Sequence, residues 1–218
     1  MQHNTIKTLQ SNIARLRQTL PADVTLVCVT KYHSLEETQA VYDAGERDFA
    51  ESRLQELLQK KAALSDDVRW HFIGHLQTNK VRQLVPFVHL IQSVDSLHLL
   101  DCISREAVRC GREVNVLLEL HVAREETKTG FSLDDTDAIS AIIVNPPQGV
   151  AVRGLMAMAS HTDDESRISA DFRTVATLFR QLFPNGGILS MGMSDDYQLA
   201  IAEGANMVRI GSRLFEDV

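Results

Sequence analysis

The apolar positions of this chain fall into two alternating patterns. Ile6, Leu9, Ile13, Leu16 and Leu20 recur at steps of three and four, which predicts an amphipathic helix stopped by Pro21. Next comes Thr25-Leu26-Val27-Cys28-Val29-Thr30-Lys31, an almost unbroken β-branched and aliphatic run that reads as a strand buried on both faces. The unit then repeats. Ser34-Leu35-Glu36-Glu37 has capping-box spacing and Gly45 closes that helix. Asp48-Phe49-Ala50 is a short strand, and Ser52 with Gln55 caps a helix whose Leu54, Leu57 and Leu58 point inward. Residues 69–73 make a third strand, with a helix from about Gln77.

The same reading continues to the end of the chain. Residues 88–92 form the fourth strand, followed by a helix carrying Leu97, Leu100, Ile103 and Ala107 and ending at Gly111. Residues 114–120 are the fifth strand, a helix over 134–143 stops before Pro146-Pro147, and 150–155 are the sixth. Ile168, Phe172, Val175, Leu178 and Leu182 mark a long helix that runs out at Pro184-Asn185-Gly186-Gly187. Residues 188–190 are the seventh strand, a helix runs from Ser194 to Ala202, and 207–210 are the eighth. The last eight residues are too few for another full helix. Eight strand–helix alternations predict an α/β protein with a parallel sheet closed into a TIM-like (β/α)8 barrel behind an N-terminal helix. An open doubly wound sheet is the second choice. One barrel accounts for 1–218.

Composition narrows the partners. With 44% hydrophobic and 23% charged residues, the 218-residue chain suits one large core. A net charge of -7 without a Lys/Arg cluster argues against nucleic acid and anionic membranes. No apolar run approaches a membrane span or a signal peptide, so a cytoplasmic protein is expected. Cys28, Cys102 and Cys110 are odd in number and lack Cys-x-x-Cys spacing, which predicts neither a disulfide framework nor a zinc site.

In a barrel of this kind chemistry sits at the carboxyl ends of the strands. Lys31, Gly74-His75, residues 156–160, Met191-Gly192-Met193-Ser194 and Gly211-Ser212 are then neighbours around one mouth. The turns after the last two strands pair a glycine with a hydroxyl, and Ser194 also opens a helix. Free amides, hydroxyls and a dipole end at that place predict a phosphate site, with Arg209 as a source of charge. A lysine partly buried beside a phosphate site forms imines, either with a phosphorylated sugar or with pyridoxal phosphate. His71 and His75 are four apart but on a strand and turn, so no metal is expected there. Met156 and Met158 read as strand-end packing, and Glu119, Glu125, Glu126 and Lys128 as a solvated loop after the fifth strand.

Five segments carry a resemblance over essentially the whole chain. These are Val29-Thr30-Lys31, residues 70–80 (WHFIGHLQTNK), Arg153-Gly154-Leu155-Met156-Ala157, residues 189–196 (LSMGMSDD) and Val208-Arg209-Ile210-Gly211-Ser212. Together they resemble the pyridoxal phosphate homeostasis protein family, relatives of the alanine racemase amino-terminal barrel. The resemblance implies pyridoxal 5'-phosphate held as a Schiff base on Lys31, its phosphate near Ser194, Gly211, Ser212 and Arg209, and a role in buffering or delivering the cofactor. It implies effects on amino-acid and keto-acid balance and no robust turnover, with cofactor-dependent apoenzymes as candidate recipients, while a barrel without a second domain favours a monomer over a dimer. A slow amino-acid racemase is the alternative; an aldolase has no motif support. Racemases resembling this barrel take an opposing tyrosine from a further β domain, which the reading of one barrel does not provide. Three segments depart from the family pattern: Phe49-Ala50-Glu51-Ser52, Tyr32-His33 after the lysine, and Phe215-Glu216-Asp217.

Overall fold

A computed structural model of the chain describes residues 2–122 and 130–216. Glu125, Glu126 and Lys128 of the expected loop, and Asp217, lie outside the described residues. Helix α1 (Gln2–Thr19) precedes β1 (Thr25–Val29), which is buried from Leu26 onward, as an aliphatic run enclosed on both sides must be. Then follow α2 (Leu35–Asp43), β2 (Asp48–Glu51), α3 (Leu54–Ala63) and β3 (Arg69–Phe72). A 3-10 turn at Thr78–Lys80 leads into the single turn α4 (Val81–Leu84), and then β4 (Leu90–Val94), α5 (Leu97–Cys110) and β5 (Val114–His121). The chain continues through β6 (Phe131–Ser132), α6 (Thr136–Val144), β7 (Val150–Ala157), α7 (Glu165–Leu182), β8 (Ile188–Ser190), α8 (Tyr197–Ala202), β9 (Met207–Ile210) and α9 (Ser212–Phe215).

Eight strands pair in parallel in the circular order β1, β2, β3, β4, β5, β7, β8, β9, and β9 returns to β1, so the barrel is closed. The extra strand β6 was not expected. It pairs with β5 at Leu120 and His121, beyond the point where β4 stops at Leu118, and so covers an edge left bare by unequal strand lengths.

The core has two compartments. Leu26, Cys28, Phe49, Ile91, Val116 and Leu118 pack outward under the helices. Val27, Val29, Ala50, Leu90, Leu117, Met156 and Met207 fill the interior. Above and below this small apolar layer the interior is polar. Arg209 donates to Ser190 Oγ (2.6 Å), Ser190 to Gln92 Oε1 (2.7 Å), Gln92 Nε2 meets His71 Nδ1 (2.9 Å), and His71 Nε2 meets Asp48 Oδ1 (3.1 Å). The Ser190–Gln92 link crosses the barrel from β8 to β4 and the others join neighbouring strands, so these buried polar groups are partnered out of water.

Local signals succeeded where backbone and side chain agree. Ser34 and Glu37 form the capping box, and Gly111 ends α5 at φ 62°. Two caps fail. Ser52 does not cap α3: Arg53 occupies that position without a side-chain bond, because Ser52 is still held against the adjacent strand end, where a Cβ on Gly74 would lie 2.1 Å from the Ser52 carbonyl oxygen. Ser194 does not open α8 either. Asp196 precedes that helix and its Oδ1 accepts from the Met193 amide at 2.6 Å, so the chain spends Met193 to Asp196 in a turn before the helix begins. Leu97, expected on the inner face of α5, is 53% exposed, since the first residue of a helix precedes the turn that packs on the sheet.

Candidate functional site

Lys31 stands in the turn just past the carboxyl end of β1, two residues after the interior Val29, with its Nζ 5.9 Å from the Tyr32 ring centroid. Its placement is held from both flanks. Lys60 of α3 donates to the Thr30 carbonyl (2.6 Å) and to Glu51 Oε1 (2.7 Å), which also accepts from the Thr30 hydroxyl (2.7 Å). His33 N–H closes back on Thr30 O (3.1 Å), so Lys31 is a corner residue of a tight turn. The next corner, Tyr32, has φ 69°, the left-handed region that a side chain occupies at a cost of about 1 kcal/mol. The His33 ring stacks on Phe215 of α9 at 3.4 Å between centroids, so the segment after the lysine meets the chain's last turn. Lys31 is partly buried, and its amine makes no hydrogen bond or ion pair with any described residue.

The two glycine–serine turns stand at the same mouth. Ser194 is buried and its Oγ accepts from the Gly211 amide (3.2 Å), tying the turn after β8 to the turn after β9. Gly211 packs on Val29: a Cβ there would lie 3.4 Å from the Val29 carbonyl oxygen. Gly211 brings close approach of the chain, since its N–H is taken by Ser194, and Ser194 brings a hydroxyl whose own proton is free to point at a ligand. Ser212 begins the four-residue α9, where the first amides have no partner within the helix.

Arg209 lies deeper, 4% exposed, inside the barrel and paired with no outside aspartate. It donates to Ser190 O (2.9 Å), Ser190 Oγ (2.6 Å) and Ala157 O (3.1 Å). Burial lowers its pKa to about 10, against the pull of Asp196 and Glu119, and it remains a cation at neutral pH. Its charge therefore acts on the mouth from below.

Glu119 was expected in a solvated loop and is instead an interior residue of β5, 6% exposed. Its parity with Leu117, an interior residue of the same strand, is the signal that identifies it. Burial, with a lesser push from Asp95, raises its pKa to about 7 despite Arg209 and His75.

At the opposite, amino-terminal mouth a cavity of about 360 Å3 is lined by Asp48, Arg69, His71, His89 and Asn115 among others. His71 therefore belongs with Asp48 and His89, whereas His75 stands at the carboxyl mouth and pairs with Asp95 (3.1 Å). Among the described residues no helix is long and apolar enough to cross a membrane.

A closed parallel barrel with a lysine, two glycine–serine turns and an interior arginine at its carboxyl mouth is an alanine-racemase-type barrel, and residues 5–217 match the family described as "Alanine racemase, N-terminal domain". The chain is 40% identical over 196 residues to the pyridoxal phosphate homeostasis protein of Helicobacter pylori, covering 89% of this chain and 88% of that one. It is 36% identical over 204 residues to the protein of the same name in Synechocystis, covering 91% and 94%. Among solved structures it is similar to PipY of Synechococcus elongatus with PLP bound, at a TM-score of 0.84 and 34% identity, covering 95% of this chain and all of that one. The chain belongs to the pyridoxal phosphate homeostasis protein family.

Proposed function

We propose that this protein holds pyridoxal 5'-phosphate reversibly on Lys31 and thereby buffers and hands on the free cofactor. The observation that carries the reading is an unspent amine, partly shielded, at the same barrel mouth as two linked glycine–serine turns. The similar PipY structure, which contains PLP, supports it. The donor set fits this ligand: a primary amine for the aldehyde, the hydroxyls of Ser194 and Ser212 for the phosphate, the bare edge of Gly211, and the buried charge of Arg209. When bound, the cofactor supplies an aldehyde that condenses with the lysine amine and releases water.

The protein's own part is placement. Lys60 and Glu51 fix Thr30, so the backbone that carries Lys31 does not wander. Ser194 and Gly211 lock the two turns together, which presets the anion seat before ligand arrives. Arg209, already bound to Ser190 and Ala157, contributes a fixed positive field without having to reorganise. Release to apoenzymes needs no further chemistry than reversal of the same condensation by water, and a monomeric carrier suffices for it.

Borohydride treatment of the protein incubated with pyridoxal phosphate should fix one cofactor on the peptide containing Lys31, read by mass spectrometry. Lys31→Ala should remain folded and take up no reducible cofactor. Protein that shows no visible absorbance and no reduced adduct after incubation with the cofactor overturns the proposal. Production of D-alanine from L-alanine at ~1 per second or faster would move the assignment to a racemase.

A further inference from the structure

The amino-terminal mouth, at the far end of the barrel from Lys31, gathers Asp48 of β2, His71 of β3 and His89 just ahead of β4. Among the described residues these three are the one group of His, Cys, Asp or Glu side chains placed to share a metal ion. Each offers a single ligand atom, and the three atoms lie within 4.8 Å of one another. Strand pairing brings them together: Asp48 is in register with Arg69, His71 with Leu90, and the His89 amide donates to the Trp70 carbonyl at 2.9 Å. His71 thus joins a ligand set through Asp48 and His89, not through His75. Asp48 and His71 are buried, His89 is exposed at the rim, and the cavity of about 360 Å3 opens beside them.

The spacing suits a small tetrahedral ion. With bonds of about 2.0 to 2.2 Å, the ligand atoms around such an ion stand about 3.4 Å apart. His71 Nε2 and Asp48 Oδ1 are already 3.1 Å apart, so only the rim histidine has to close in. Arg69 grips the same carboxylate, with Nε on Oδ1 at 2.7 Å and Nη2 on Oδ2. An ion that takes the place of the proton between His71 and Asp48 leaves this grip intact, and Arg69 becomes the outer donor that orients a ligating carboxylate. The other cation at this mouth is answered elsewhere, since Arg153 donates to Asn115 Oδ1 (2.7 Å) and to Glu113 Oε1 (3.2 Å).

We propose that Asp48, His71 and His89 bind a divalent transition-metal ion of the zinc type, with water from the cavity as the remaining ligand. Three protein ligands and one open position is the pattern of an accessible zinc site. The proton balance closes on one ring. Gln92 presents Nε2 to His71 Nδ1 (2.9 Å) and accepts from Ser190 Oγ at Oε1 (2.7 Å), so Nδ1 is the acceptor and Nε2 carries the proton that faces Asp48. As the ion takes the Nε2 lone pair, that proton leaves to solvent and another is taken up at Nδ1. The Gln92 amide turns over to accept it. His71 stays neutral throughout, and no net proton is released from it.

The test is titration of the chelator-stripped whole chain with zinc chloride at neutral pH, without pyridoxal phosphate, followed by calorimetry and by the nitrogen-15 resonances of the histidine rings. The wild type should take up zinc saturably while the proton of His71 moves from Nε2 to Nδ1. His89→Ala removes the rim ligand and leaves the interior hydrogen bonds in place. It should weaken zinc binding by more than about 100-fold, beyond what losing an outer-shell partner costs. His98→Ala, an exposed histidine of α5, should bind as the wild type does. Absence of zinc uptake by the wild type overturns the proposal, as does a smaller loss in His89→Ala or a comparable loss in His98→Ala, which would place the ion on surface histidines. Should His89→Ala fail to fold, the wild-type ring decides, and a His71 proton that stays on Nε2 at zinc saturation overturns the proposal. Cofactor on Lys31 plays no part in these readouts, so this site and the cofactor reading stand or fall separately.

Discussion

Glu119 shows how much one buried atom group changes the behaviour of a residue. Its folded pKa of about 7 exceeds the ordinary glutamate value, so the folded state binds more protons than the unfolded chain between roughly pH 4 and pH 7. The stability lost through this group is absent below pH 4 and complete above pH 7. In the cofactor-free protein Glu119→Gln should therefore be more stable than wild type by on the order of 2 kcal/mol at pH 8, a difference that closes toward pH 4. Urea unfolding at the two pH values measures it, and equal stabilities at pH 8 would refute it.

Among elements, the connection of α3 to the ends of β1 and β2 decides where the lysine stands. Lys60 is buried, its ammonium shared between the Thr30 carbonyl and Glu51, and Glu51 Oε2 has no hydrogen-bond partner among the described residues. Burial raises the Glu51 pKa, and the hydrogen bonds from Lys60 and Thr30 oppose that rise. Lys60→Met leaves this carboxyl alone in the core and should cost about 3 kcal/mol in urea unfolding, with a loosened Lys31 turn and weaker cofactor retention. Adding Glu51→Gln to Lys60→Met should recover part of the loss, and no recovery would show that the helix stem of Lys60, not its charge, matters. Little of this was legible from sequence. Lys60 reads as one charged residue in a Lys60-Lys61 pair on a helix, and only the closeness of α3 to β2 distinguishes the buried lysine from its half-buried neighbour.

Across the whole molecule, the polar chain through the barrel links the two mouths and sets an acid limit. Burial by itself would raise the Asp48 carboxyl, but hydrogen bonds from Arg69 and His71 outweigh it and hold the group well below the usual carboxylate range. A depressed folded pKa contributes stability that is full above the unfolded value of about 4 and is lost as pH falls through the folded one. Asp48→Asn should thus be destabilised at pH 7 and converge with wild type as the pH drops below 4, as followed by unfolding at each pH. A constant difference across that range would refute the assignment. The barrel's alternation, the Ser34 capping box, Gly111 and the glycine–serine turns could be read directly from the chain, because each is set by neighbours within a few residues. Lys31, Ser194, Gly211, Ser212 and Arg209 were named from the chain as well; their division of labour was not. Whether Gly211 offers an amide or only space, whether Arg209 points outward or into the barrel, and whether Glu119 is wet or dry all depend on which strands lie side by side. Local patterning determined the elements and their order, since hydrophobic period and turn chemistry are short-range properties. Only closure of the sheet decided which polar groups share a mouth, because that closure joins β9 to β1 and sets β5 opposite, bringing together residues that no spacing along the chain relates.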